Sequence, residues 1–172
     1  MSVTYEYPRP AVTVDAVVFC LLPLELKVLL IRRKNEPFKN CYSFPGGFMD
    51  MDETPQLAVQ RELAEETQLE LDDFVQIGAF AAVDRDPRHR TVSIAYMAVI
   101  TEERTVTGAD DAAKACWTSL SELPLHLAFD HEDMLEQTKI FADMYFRTAV
   151  PGSAEAFYLS EDQINNFLQH IA

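Results

Sequence analysis

The stretch GFMDMDETPQLAVQRELAEETQL, residues 47–69, decides how this 172-residue chain folds. The Pro-Gly-Gly sequence at residues 45–47 predicts a turn at its beginning. A helix is predicted to begin at Thr54, whose side chain can cap the first turn, and Pro55 suits the first helical position. Since no helix breaker follows until past Leu69, the stretch predicts a loop that leads into a helix.

Three carboxylates of this helix share one face. At about 100° per residue, Glu62, Glu65 and Glu66 fall within roughly 100° of one another. Like charges so close destabilise an isolated helix, and hard divalent cations with oxygen ligands can compensate them. An exposed helix that is merely acidic is the alternative. The glycine turn favours a metal site, because it can offer a backbone carbonyl to the same cation.

The spacing of these residues resembles the Nudix box. It runs from Gly47 through five residues to Glu53, and through seven more to Arg61-Glu62-Leu63-x-Glu65-Glu66. The family usually has a glycine where this chain has Gln68, and we expect the change to alter the end of the helix more than the metal site. The similarity covers roughly residues 11–135, and its further features are Phe44-Pro45-Gly46-Gly47, Trp117 and Leu123-Pro124.

The resemblance implies an α+β structure with the Nudix fold, an αβα sandwich around a mixed β-sheet. In that fold the box forms a catalytic loop-helix-loop motif. The resemblance also implies Mg²⁺ (or Mn²⁺) as the cofactor, and it implies the site residues. The implied metal ligands are Gly47, Glu62, Glu65 and Glu66, and the implied catalytic residues are Glu65 and Glu66 with Glu53 and Arg61, a salt-bridged pair that orients the glutamates.

The general base stays open between a box glutamate and an acidic residue on a later loop. Asp110 and Asp111, before the Trp117 segment, are candidates, and so are Glu102 and Glu103. Asp111 is taken as the catalytic candidate, although an acid in such a loop is more often a solvated surface residue.

Arginines supply the candidate contacts to the substrate, because a guanidinium binds phosphate oxygens well. The predicted substrate-binding residues are Arg33, at the end of a strand, and Arg85, Arg88 and Arg90, within one short loop. The alternative for an arginine at a strand end is a plain surface charge. His89 of the same loop could also contact the substrate.

The rest of the chain reads as strands and helices of one mixed α+β domain. In the box helix, Leu57, Leu63, Ala64 and Thr67 are predicted to face the sheet. We expect a single domain over residues 1–172, with a core at about 11–146 and a helical extension at 147–172. The predicted strands are 11–19, 27–33, 74–83, 91–100 and 114–120, with an extended segment at 41–48, and the later helices are 131–146 and 160–171.

The composition is that of a globular protein, and its net charge of −14 comes from 28 acidic and 14 basic residues. So acidic a surface disfavours nucleic acid polymers and anionic membranes. No signal peptide or membrane-spanning run is visible, and the three cysteines form no paired motif. We therefore expect a cytoplasmic protein whose partner is a nucleotide-like diphosphate.

The expected substrate is based on a resemblance that is less specific than the box. The segments RPAVTVDAVVF (9–19), RDPRHR (85–90) and LAFDH (127–131) resemble bacterial Nudix ADP-ribose pyrophosphatases, which implies cleavage of ADP-ribose to AMP and ribose 5-phosphate. The same N-terminal pattern occurs in Nudix regulators of NAD metabolism, which sense ADP-ribose and bind DNA through a winged helix. The intact acidic positions and a tail too short for a winged helix favour the enzyme over a regulator or a non-catalytic binding protein. The resemblance also leads us to expect a homodimer.

Overall fold

The computed structural model describes residues 6–148 and 157–172, which form a seven-stranded mixed sheet flanked by helices. The strands are β1 (Ala11–Leu22), β2 (Glu25–Arg33), β3 (Tyr42–Ser43), β4 (Gly46–Phe48), β5 (Val75–Phe80), β6 (Thr91–Ile100) and β7 (Ala112–Ser119). The helices are α1 (Pro55–Thr67), α2 (His131–Thr148) and α3 (Glu161–Ile171), with a short 3₁₀ turn at Leu120–Glu122.

The centre of the sheet is β1, which pairs in parallel with β6 from Ala11–Thr91 to Cys20–Ile100. The β-branched and apolar residues of β1 suit a strand that is covered on both faces. Val14 and every residue from Ala16 to Cys20 are fully buried. This strand therefore forms the middle of the hydrophobic core.

The cleft described below lies where β1 and β2 separate. These strands pair antiparallel only from Phe19–Val28 to Leu22–Glu25. Beyond that point β4 pairs with the N-terminal half of β1, and β3 pairs with the C-terminal end of β2. The separated strand ends bring the Gly46–Gly47 segment next to the box helix.

Helices cover both faces of the sheet, as the predicted αβα sandwich requires. Helix α1 packs on β1, β4 and β7, whereas α2 and α3 contact each other and pack on β5 and β2. In α3, Phe167 is fully buried and meets the ring of Phe19 edge-on at 5.3 Å. None of the helices in the described part of the chain has the length and apolar character needed to cross a bilayer.

Most predicted elements are present, with changed ends. The predicted extended segment at 41–48 is two short strands, and the strand predicted at 74–83 covers only Val75–Phe80. The prediction that Leu57 packs on the sheet is wrong, since this side chain is 55% exposed. At about 100° per residue it lies roughly 160° around the helix from the buried Val59.

Candidate active site

Arg61 of α1 holds the acidic groups of the box together. Its guanidinium binds both carboxylate oxygens of Glu53, Nε to Oε2 at 3.0 Å and Nη2 to Oε1 at 2.6 Å. Nη1 donates to Glu62 at 2.8 Å and to Glu65 at 3.1 Å, and Nη2 also donates to the Phe48 carbonyl at 3.0 Å. One arginine thus ties the helix to the loop that precedes it, in the arrangement predicted for Glu53 and Arg61.

The ion pair fixes the charge of Glu53. Hydrogen bonds from Arg61 hold the pKa of Glu53 below its usual value, and its carboxylate raises the pKa of Arg61. The Asp50 N–H also donates to Glu53 at 2.7 Å. Both groups remain charged near neutral pH, so that the bridge between loop and helix is maintained.

Glu62 and Glu66 lie against the glycine turn. A Cβ at Gly47 would be 2.4 Å from Glu62 Oε1, so a larger residue in this place would push the carboxylate away from the turn. The Gly46 N–H donates to Glu66 Oε2 at 2.9 Å. Glu66 is 4% exposed, because it lies against this turn and, seven residues after the buried Val59, on the packed side of α1.

Burial disfavours the charged forms of both glutamates. Burial raises the pKa of Glu66 to about 8, and the carboxylates of Glu62 and Asp15 add to this rise. Burial also raises the pKa of Glu62, against the opposing effect of Arg61. A positive charge beside these carboxylates would offset the free-energy cost of burying them in their charged form.

The donor set fits a hard divalent cation. Carboxylate and backbone carbonyl oxygens are suitable ligands, and Glu62 and Glu66 lie beside the glycine turn. In residues 6–148 and 157–172 no three His, Cys, Asp or Glu side chains already converge as metal ligands. Glu65, which was predicted as a ligand, is turned towards Arg61 and has a half-exposed side chain.

Arg33 and Arg88 line a cleft next to the glycine turn. The guanidinium of Arg33 lies 4.8 Å from the ring centre of Phe129, and its Nε donates to the Pro37 carbonyl at 2.9 Å. Within the described part of the chain, the two terminal nitrogens of Arg33 donate to no protein acceptor. Arg88 is bound to Asp86 through Nε at 3.0 Å and Nη2 at 2.8 Å.

The side chains of the other two predicted arginines bind oxygen atoms of the protein itself. Arg85 lines the cleft, but its side chain is only 4% exposed and binds both oxygens of Asp130, at 2.9 and 2.6 Å. Arg90 lies outside the cleft and donates to the carbonyls of Ala81, Ala82 and Thr91 at 2.9 to 3.2 Å. His89 stacks on Phe48, with ring centres 5.7 Å apart.

The candidate general bases separate into two groups. Asp111 lines the cleft, and its Oδ1 accepts from Asn35 at 3.0 Å. Asp110 lies beside it, and its carbonyl accepts from Lys34. Glu102 and Glu103 follow the far end of β6, where Glu103 pairs with Lys27 at 2.6 Å. The structure therefore brings only Asp111 of these four acids to the cleft lining.

Sequence reasoning missed that Asp15 and His131 join Arg85 in a buried polar network that lines the cleft. Asp15 accepts from Ser93 and lies 3.5 Å from His131 Nε2 and 3.9 Å from Arg85 Nη2. His131 Nδ1 accepts from the Phe44 N–H at 2.9 Å. Burial lowers the pKa of His131. A single carboxylate inside the apolar run of β1 was the one signal in the sequence that could have indicated this network.

The fold and the site together define the class of protein. Residues 12–138 match the model of the NUDIX domain family. The chain belongs to the Nudix family, as its box predicted.

Individual relatives point in two functional directions. The chain is 41% identical over 130 residues to an ADP-ribose pyrophosphatase of Methanocaldococcus jannaschii. The aligned residues cover 76% of this chain and 73% of that protein. The chain is 34% identical over 135 residues to the ADPR responsive transcriptional repressor NtrR of Acinetobacter baylyi, covering 77% of this chain and 54% of the repressor. The crystal structure of a MutT/nudix family protein from Enterococcus faecalis is similar with a TM-score of 0.85 and 28% identity, over 99% of this chain and 76% of that one.

Proposed function

We propose that this protein is a magnesium-dependent hydrolase that cleaves the diphosphate bond of ADP-ribose to give AMP and ribose 5-phosphate. The observation that carries the proposal is the placement of Glu62 and Glu66 against the Gly46–Gly47 segment. The similarity to an ADP-ribose pyrophosphatase supports the choice of substrate.

The proposed cation is Mg²⁺ (or Mn²⁺), held by Glu62, Glu66 and the Gly47 carbonyl. Glu65 would join them directly or through water after leaving Arg61. When bound, the cation supplies charge neutralisation to the diphosphate and makes an attacking water more acidic. Arg61 and Glu53 keep the helix carboxylates in place while the substrate binds.

Arg33 is the proposed contact to the diphosphate, because its two terminal nitrogens are free of protein acceptors in the described residues. Arg88 lies at the same cleft and can exchange Asp86 for a phosphate oxygen. Asp111 is the proposed general base, since its carboxylate lines the cleft. We assign Arg85 and Arg90 supporting roles, because their donors already bind protein oxygens.

The test is hydrolysis with and without Mg²⁺ across ADP-ribose, sugar nucleotides, dinucleoside polyphosphates and nucleoside triphosphates. We expect magnesium-dependent release of AMP from ADP-ribose, and little turnover of the other compounds. Faster cleavage of another class would overturn the choice of substrate. The absence of turnover on every compound would overturn the enzyme assignment.

A non-catalytic regulator or binding protein that senses ADP-ribose is the second candidate, favoured by the similarity to a repressor. The complete set of box carboxylates and the net charge of −14 speak for the enzyme instead. Tight binding of ADP-ribose without turnover, together with a mobility shift of duplex DNA, would establish the regulator. We propose that no nucleic acid polymer binds.

We further propose a homodimer in a reducing, cytoplasmic setting. On α2, Ile140 is 62% exposed and Met144 is 57% exposed, which provides apolar surface for a second copy. Analytical ultracentrifugation of the whole chain tests the dimer, and a monomer at micromolar concentration would contradict it.

A further inference from the structure

Two buried hydroxyl groups in the cleft have no partner. In the described residues, Thr13 Oγ1 and Ser43 Oγ are buried and make no hydrogen bond. Thr13 is 8% exposed and Ser43 is 1% exposed. Both residues line the cleft that also contains Gly46, Gly47 and Glu66. A buried polar group without a partner destabilises the folded state, so each of these hydroxyls requires an explanation.

Burial in this fold does not by itself leave a hydroxyl unpaired. Thr67 and Thr138 each donate to the carbonyl four residues earlier, at 2.6 and 2.7 Å. Ser93 donates to Asp15, and Thr91 donates to the His89 carbonyl at 3.2 Å. Among the described residues, the two buried hydroxyls that lack a partner both belong to residues that line the cleft.

The charges around Thr13 indicate what kind of ligand group this is. Asp15 lies two residues along β1 and therefore on the same side of the strand. Asp15 and Glu66 both line the cleft, whereas the cation of Arg85 is already bound by Asp130. Beside the Asp15 carboxylate a phosphate oxygen would be repelled, whereas the proposed cation at Glu66 and the terminal nitrogens of Arg33 serve the diphosphate elsewhere in the cleft. A sugar hydroxyl can accept from Thr13 or Ser43 and donate to a carboxylate, so it fits both kinds of neighbour.

We infer that Thr13 and Ser43 form a subsite that binds ribose hydroxyls of the substrate and makes the site selective for a sugar beside the diphosphate. This inference rests on the proposed function, because that function supplies the sugar. Two riboses flank the diphosphate of ADP-ribose, one in each product. Both riboses offer the same kind of hydroxyl group. Measuring the binding of AMP and of ribose 5-phosphate separately shows which of the two riboses occupies the subsite.

The test compares the wild-type protein with Thr13→Val and Ser43→Ala. Calorimetric titrations with Mg²⁺ use AMP, ribose 5-phosphate and inorganic pyrophosphate as probes. We expect the affinity for one of the two ribose compounds to fall about 3- to 10-fold in each variant, which is the effect of one lost hydrogen bond. Pyrophosphate affinity should be unchanged. The compound whose affinity falls identifies which ribose occupies the subsite.

Thr138→Val is the matched control, since it removes a buried hydroxyl that has a partner on α2. It should leave all three affinities unchanged and lower the Tm. Thr13→Val should instead raise the Tm of the ligand-free protein by about 2–4 °C, because it removes an unpaired buried group. A lower Tm for Thr13→Val would mean that its hydroxyl has a structural partner, and this would overturn the inference.

Two other outcomes are decisive. Unchanged affinity for both ribose compounds, or an equal loss for pyrophosphate, would overturn the ribose subsite while the wild-type protein still hydrolyses ADP-ribose. If the wild-type protein binds pyrophosphate but neither ribose compound, the proposed substrate fails, and the subsite fails with it.

Discussion

Glu66 combines burial, contact with the glycine turn and proximity to a second carboxylate. Its Oε2 accepts from Gly46, and Glu62 is close enough to raise its pKa further. A glutamine in this place keeps an oxygen that can accept from Gly46 but removes the negative charge. The proposed metal-binding role of Glu66 is therefore separable from its role in packing.

We expect Glu66→Gln to abolish measurable turnover, a loss of at least about 100-fold, because an interaction that stabilises transition-state charge is removed. The fold should persist, with an unchanged far-ultraviolet circular dichroism spectrum. Steady-state hydrolysis of ADP-ribose is the measurement, and the exposed Glu70→Gln is the control. Near-normal activity of Glu66→Gln would refute the metal assignment.

His131 is a buried imidazole whose protonation is coupled to folding. Burial holds its pKa below the ordinary value of 6.5; Asp15 and Asp130 oppose this effect, whereas Arg85 and Arg33 add to it. Below pH 6.5 the unfolded chain therefore binds more protons than the folded one. The stabilisation is complete above pH 6.5 and is lost as the pH falls towards the folded-state pKa.

Between pH 7 and pH 5 His131 should lower the free energy of unfolding by at most about 1.4 kcal/mol per pH unit, while the raised pKa of Glu66 acts in the opposite direction. Urea denaturation at several pH values measures this slope. His131→Gln should lack the His131 contribution, so that its free energy of unfolding falls less, or rises more, between pH 7 and pH 5 than that of the wild-type protein, and identical slopes for the two proteins would contradict the prediction.

Helix α1 ends with a residue in an unfavourable conformation. Gln68 has φ 60° and ψ 18°, in the left-handed region, and its N–H donates to the Ala64 carbonyl at 2.9 Å. The family usually has glycine here, which adopts this conformation without a steric penalty. The helix therefore ends in the left-handed cap geometry although the residue is not glycine, at a cost in stability.

Gln68→Gly should stabilise the protein by about 1 kcal/mol, because it removes the cost of a side chain in the left-handed region. Equilibrium urea unfolding measures the change. Gln60→Gly, inside the same helix, should instead destabilise the protein by about 1 kcal/mol. A loss of stability in both variants would show that the conformation of Gln68 imposes no strain.

The elements were largely predictable, because they depend on local chemistry. Thr54 and Pro55 define the start of α1, and Thr54 indeed accepts from the Leu57 N–H at 3.3 Å. The contacts across the cleft were not predictable. Arg85 meets Asp130 from 45 positions away, and only the folded sheet and α2 bring them together. For the same reason the cleft lining includes Thr13 and Ser43, which no local pattern indicated.

At the scale of the whole molecule, α3 belongs to the core although it lies beyond residues 12–138 of the family match. Phe167 contacts the rings of Phe19 and Phe146 at 5.3 and 5.2 Å. The Asn166 side chain donates to the Leu22 carbonyl at 3.2 Å. A capping box formed by Ser160 and Gln163 begins the helix. These contacts attach α3 to the end of β1 that is distant from the cleft.

Phe167→Ala should therefore lower the free energy of unfolding by about 3–5 kcal/mol, because a large ring leaves a cavity in the core. Tyr158→Ala is the comparison, since Tyr158 is 82% exposed, and it should change stability by less than about 0.5 kcal/mol. Chemical denaturation measures both variants. A small effect for Phe167→Ala would show that α3 contributes little to the core.

The parallel pairing of β1 with β6 also governs how the chain must be assembled as it leaves the ribosome. The residues of β1 from Ala11 to Cys20 each pair with a residue 80 positions later, from Thr91 to Ile100. Strand pairs so far apart in sequence form slowly, because a long loop must lose conformational entropy before any contact stabilises the pairing. The most apolar strand of the protein thus remains without its main partner until residues 91–100 have been synthesised. Growing chains shorter than this expose that strand, and they are the species most in need of a chaperone.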